Sequence, residues 1–207
     1  MAQRKNKGWQ IRERLAQLAA EYMAETGSQD YQLAKNKALN QFGAIDSYDL
    51  PSNKEIQKAL VNYQQIFKAD SQPEQLKKLR QTALEAMRFF EKFSPRLVGS
   101  VLYGTADVNS AIYIHLFAET SEEVAVFLLD NNIPYDEEQK RFHIKGDDYQ
   151  YFPAFGFLAD EVPVHIVIFS LQGLHHAPLS SVDGKPMQRA DIKAVSKLIE
   201  QQHSTLI

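Results

Sequence analysis

Two parts of the 207-residue chain hold residue types that could do chemistry. The first is Val98-Gly99-Ser100 with Gly104-Thr105 close behind, a hydroxyl and the amides of a glycine-containing turn. Such amides attract anions, phosphate above all, without needing a metal. The same glycines also suit a plain tight turn, with Ser100 as its cap. The second part is a pair of histidines, His115 and His165, each inside an apolar run. Alternation with period two sets Ala111, Tyr113 and His115 on one face, opposite Ile112, Ile114 and Leu116. His165 likewise stands opposite Val164, Ile166 and Ile168. Two imidazoles on a sheet face suit an acid–base pair or part of a zinc site, although two histidines leave such a site incomplete. A half-covered sheet also takes them simply as polar residues. His175-His176 follows Gly173-Leu174 and reads as a solvated loop.

The elements that position these residues divide the chain in two. Residues 9–92 read as four helices. Ile11, Leu15, Leu18, Ala19 and Tyr22 recur at three and four, the spacing of one helical face. Thr26-Gly27-Ser28 ends that helix, and Asp30 caps a second from Tyr31 to Phe42, stopped by Gly43. Ser52 and Glu55 have capping-box spacing ahead of a helix that is expected to bury Ile56, Leu60, Tyr63 and Phe67. Ser71-Gln72-Pro73-Glu74 opens the fourth, through Leu76, Leu79, Leu84, Met87 and Phe90. After Ser94-Pro95 the pattern turns to strands. Leu97–Thr105 reads as a buried strand running into a glycine turn, and Ala111–Phe117 as a second strand. Thr120 and Glu123 form a capping box for a helix over Val124–Leu129, closed by Asn131-Asn132. Strands follow at Arg141–Lys145, Tyr149–Leu158 and Val162–Ser170, joined by the turns Gly146-Asp147-Asp148 and Ala159-Asp160-Glu161, hence antiparallel hairpins. A helix from Ala190 to Gln201 comes last. The expectation is an α+β fold with a mixed or antiparallel sheet and flanking helices, over residues 80–207, behind an all-helical module at 1–79.

The helix before residue 97, the Gly99-Ser100 turn, the strand at 111–117 and the later strand Val162–Ile168 together resemble the core of the nucleotidyltransferase superfamily, the DNA polymerase β-like fold. The likeness covers roughly residues 80–170. It implies a Gly-Ser turn that holds a nucleotide phosphate, with Gly99, Ser100, Gly104 and Thr105 as nucleotide-binding candidates. It also implies carboxylates at alternate positions of the second strand and on the later strand, holding two Mg²⁺ ions. Those positions here are Ala111, Tyr113 and His165, with His115 as their neighbour. Magnesium needs hard oxygen ligands, so the site is degenerate. The resemblance implies a catalytically degenerate protein that binds a nucleotide or a protein partner, with no metal or cofactor of its own. An active nucleotidyltransferase is the alternative. It requires a relocated carboxylate, Asp107 or Glu119, and would bring Mg²⁺ with a nucleoside triphosphate.

Composition narrows the rest. There is no cysteine, which removes disulfides, thiolate metal sites and thiol nucleophiles. The first ten residues lack the apolar core of a signal peptide, and no apolar run reaches the ~20 residues needed to span a bilayer. A cytoplasmic protein with no membrane association is expected. Net charge is −3. Residues 1–92 carry 15 Lys and Arg against 11 Asp and Glu, whereas 93–207 carry 8 against 15. A split of this kind suggests two modules, or simply helices rich in Lys and Arg. The first helix, the Thr26-Gly27-Ser28 turn and Tyr31–Gly43 resemble the entry to a helix-turn-helix, with Lys35, Lys37 and the basic start Arg4-Lys5-Asn6-Lys7 able to meet phosphates, which makes a DNA-binding regulator a further alternative. No P-loop, Gly-x-Ser-x-Gly elbow or dinucleotide fingerprint is present.

Overall fold

Capping chemistry sets the helix boundaries in the first half of the chain. The computed structural model describes residues 2–43, 50–68, 71–145 and 148–205. Helix α1 (Ala2–Thr26) starts ahead of the expected residue 9. The Asp30 carboxylate accepts the amides of Gln32 and Leu33 and so starts α2 (Tyr31–Phe42). Ser52 and Glu55 form a reciprocal capping box at the head of α3 (Asn53–Phe67). Glu55 also takes a two-pronged contact from Arg12 of α1, at 2.8 and 2.7 Å. Hydrogen bonds from Arg12 lead the effects that hold its carboxyl at about 2.

Two compact units result. The first holds residues 1–73 with 107–110 and 181–183, and the second holds the remainder. The core of the first is the Leu15, Leu18, Ala19 and Met23 stripe of α1 against Ala34 and Ala38 of α2 and Ile56 and Leu60 of α3. Phe67, expected inside, is 70% exposed, because the apolar period of α3 runs on past the last turn the core covers. Gly27 is fixed by geometry. Its φ is +70°, and a Cβ there would lie 2.0 Å from the Asn109 carbonyl oxygen. In the same unit Asp107 is buried and paired with Lys68, its amide bonded to the Ser110 hydroxyl at 3.0 Å.

The division falls at Pro73, ahead of the expected boundary at 79, because α4 (Gln72–Phe89) gives Leu76 and Leu79 to the second core. That unit is α+β. Its sheet has the order β1-β2-β5-β4-β3, with β1 (Arg96–Val98), β2 (Ile112–Phe117), β3 (Asp136–Lys145), β4 (Asp148–Ala159) and β5 (Val162–Phe169). β2 and β5 run parallel and the other neighbours antiparallel, so the sheet is mixed, as expected. Around it lie α5 (Gly99–Tyr103), α6 (Ser121–Asp130) and α7 (Ile192–Thr205). One face meets α4, α6 and α7 through Leu97, Ile112, Ile114, Leu116, Val164 and Ile166.

Local expectations are corrected at three points. The first strand ends at Val98, because Gly99 takes φ +75° and turns the chain into α5. Thr120 precedes α6 without a side-chain cap, because its hydroxyl and that of Ser121 bond the Glu122 carboxylate instead. β3 begins at Asp136, well before the expected Arg141. Gly146 and Asp147 of the expected turn lie outside the described residues. Among the described residues, no helix is long and apolar enough to cross a membrane.

Candidate functional site

β1 ends against β2 with Val98 opposite Tyr113, and Tyr113 is in turn the register partner of His165 on β5. Paired residues on neighbouring strands point to the same face. The sheet therefore carries Val98, Tyr113 and His165 in one row, with Gly99 the next residue past its end. Tyr113 and His165 stack, centroids 5.0 Å apart and planes 13° from parallel. Ala111 is half-buried and falls just before β2.

The turn itself is closed by backbone bonds. Amides of Gly104 and Thr105 both donate to the Ser100 carbonyl, and Gly104 ends α5 with φ +82°. Ser100 is half-buried, and Thr105 is buried. Behind the turn stands Arg80 of α4, a residue that sequence reasoning passed over. Its Nε donates to the Val101 carbonyl at 3.2 Å, and its guanidinium lies 3.6 Å from where a Gly104 Cβ would sit. Burial lowers its pKa. A buried guanidinium behind a short glycine-bounded helix sets a positive charge close to the candidate phosphate turn.

Three more groups complete the row beside His165. Glu138 of β3 places Oε2 3.2 Å from His165 Nδ1 and 2.6 Å from Lys140 Nζ. Gly156 of β4 pairs with His165, and a Cβ there would come within 3.1 Å of Glu138 Oε1. The glycine leaves the space in which carboxylate and imidazole meet. Burial pushes the Glu138 carboxyl up, but Lys140 and His165 outweigh it and hold the group below its ordinary value. Burial, partly opposed by Lys140, raises the Tyr113 phenol. Glu138 and Lys140 lie in a polar run with no apolar alternation, so their only signal is cross-strand register.

His115 is brought to the same face but to a different environment. It is 1% exposed, edge-on to Phe142 and 4.6 Å from the Phe169 ring. Arg189 donates from Nε to His115 Nδ1 at 3.0 Å and from Nη1 to the Gly173 carbonyl at 2.6 Å. Its guanidinium also lies over the rings of Phe117 and Phe169. An acceptor Nδ1 requires neutral imidazole with the proton on Nε2. Burial and the Arg189 charge agree, pushing the His115 pKa well down. Burial, then Arg96, brings Arg189 down to about 10. The histidines thus have separate partners, and His115 is a packed core residue.

The magnesium pair that the resemblance implies does not fit these donors. Ala111 has no ligand atom, Tyr113 is a neutral phenol stacked on an imidazole, and Glu138 is already shared by Lys140 and His165. Asp107 is committed to Lys68. Glu119 lies past the end of β2 while Gly99 lies beside its start, and five strand steps put about 17 Å between those ends. Of the basic residues suggested for DNA, Lys35 is half-buried in the first unit, its pKa lowered by burial and by Arg12. No family model, curated protein or solved structure matches the chain.

Proposed function

We propose that the second unit is a nucleotidyltransferase-like scaffold that has lost two-metal chemistry and serves as a binding module for a phosphate-bearing ligand, a nucleotide in the first instance. The observation that carries this reading is the row Val98–Tyr113–His165, running directly into Gly99-Ser100. The positions expected to hold carboxylates stand together beside the turn, but they carry a phenol–imidazole stack in place of metal ligands. The Ser100 hydroxyl and the field of Arg80 would receive the phosphates at the head of the turn, since the Gly104 and Thr105 amides are bonded to the Ser100 carbonyl. The half-buried Tyr113–His165 stack would offer an aromatic contact to a base.

Calorimetric titration of the full chain with nucleoside mono-, di- and triphosphates, each with and without Mg²⁺, tests this. Saturable binding that does not need Mg²⁺ and is weakened by Ser100→Ala supports the reading. Binding that requires Mg²⁺, together with transfer of a labelled nucleotide, would return the protein to the enzymes.

A further inference from the structure

Beyond the sheet, β3 and β4 run on as a two-stranded ribbon. β5 pairs with β4 over Ala154–Ala159 alone, while β3 and β4 stay paired out to Lys145 and Asp148. The ribbon has two unlike faces. Phe142 and Phe152 point to the core side, where their rings meet Phe169. The register pairs Arg141↔Tyr151 and His143↔Tyr149 put those four side chains on the other face. There the Arg141 guanidinium sits 4.0 Å from the Tyr149 ring centroid, and His143 stacks on the same ring at 4.9 Å, 20° from parallel. Tyr149 and Tyr151 remain 48% and 64% exposed. The register shifts after His143, so Lys145, opposite Asp148, adds a second full cation at the tip but on the Phe142 side.

We infer that this outer ribbon face, Arg141, His143, Tyr149 and Tyr151, is a docking surface for single-stranded nucleic acid. The site is separate from the Gly99–Thr105 turn and does not rest on the nucleotide reading. The exposed Tyr151 ring beside a Tyr149 ring already stacked with Arg141 and His143 gives the aromatic and cationic surface that sequence-tolerant strand binding needs, since every base has a π-face and every link a phosphate. Alternate residues on a strand repeat about every 7 Å, so the rings form an extended track. Charge selects single strands over duplex. Arg141 on this face and the long side chain of Lys145 at the tip can neutralise a couple of phosphates, and the acidic remainder of this half of the chain would repel a second backbone. The back of the ribbon is fixed by its phenylalanines, so the platform is held in place before the ligand arrives.

The test is fluorescence anisotropy of the full chain with labelled oligo-dT and oligo-rU of about twelve nucleotides, from about 50 to 200 mM salt. Binding is expected at low salt, with a log–log salt slope no steeper than about −1.4 for two phosphate contacts. Tyr149→Ala and Tyr151→Ala should each weaken it by about 5- to 150-fold, the range of one lost base stack. Tyr151→Phe should retain it, which separates lost stacking from a misfolded ribbon. Arg141→Ala should flatten the slope by about 0.7. Four results would overturn the inference: no binding at low salt, tighter binding to duplex of equal length, folded tyrosine variants that bind like wild type, or binding lost in Ser100→Ala yet kept in Tyr149→Ala.

Discussion

His115 and His165 stand on the same face of two adjacent parallel strands, yet the two ends of that face have opposite characters. At the His115 end, Phe142 and Phe169 pack on the imidazole with Phe117 and Phe152 against Phe169, and Arg189 reaches in from a polar loop to bond it and the Gly173 carbonyl. At the His165 end the face stays half-open, and Gly156 leaves room for a carboxylate and a lysine where a side chain would otherwise pack. Strand alternation makes both histidines equal. What separates them is what covers the sheet, and that is decided by residues distant in sequence. One end is used for stability, while the other keeps polar groups beside the Gly99-Ser100 turn.

The largest expected effect lies at the closed end. Phe169→Ala removes a buried ring in contact with four aromatic neighbours and should cost about 3–5 kcal/mol in denaturant unfolding. His165→Ala at the half-open end should cost about 1 kcal/mol. Equal losses would break the comparison. Arg189→Met keeps an apolar stem but strips the donors from His115 and Gly173, and should cost about 1–3 kcal/mol.

The next effect is a pH dependence with a definite sign. His115 has a folded pKa below the ordinary 6.5, so below that pH the unfolded chain takes up a proton the folded one refuses. Stability from this group is complete above about pH 6.5 and falls on acidification, by at most about 1.4 kcal/mol per pH unit. The difference between wild type and His115→Gln across pH 5–7 should show that slope; a slope of the opposite sign would mean a charged His115. The smallest effect is in the helical unit. Glu55→Gln weakens an exposed ion pair and should cost about 1 kcal/mol or less. Its pKa of about 2 places any loss of that stability below about pH 4.5, clear of the histidine window.

Much of this arrangement was legible in the chain. Asp30 and the Ser52–Glu55 box declare their helices because capping is a local event, satisfied within three residues. Alternation in Ile112–Leu116 and Val164–Ile168 correctly separated core from the opposite face. Local signals failed where a partner came from elsewhere. Thr120 had cap spacing but a closer carboxylate in Glu122. Asp136–Lys140 carries no strand signal because an edge strand needs no apolar face, so Glu138 and Lys140 cannot be picked out by spacing. Arg80 has no local signal that sets it apart from the other cations of α4, although the helix buries it against the carbonyls of α5. Register carried the information that spacing could not.

The most direct test of the phosphate-binding account is a nitrogen–proton correlation spectrum of the full chain titrated with ATP in the absence of Mg²⁺. Saturable shifts centred on the amides of Gly99–Thr105 and Tyr113, and weakened in Ser100→Ala, are the expected result. Amides there that stay still at saturating nucleotide would contradict it.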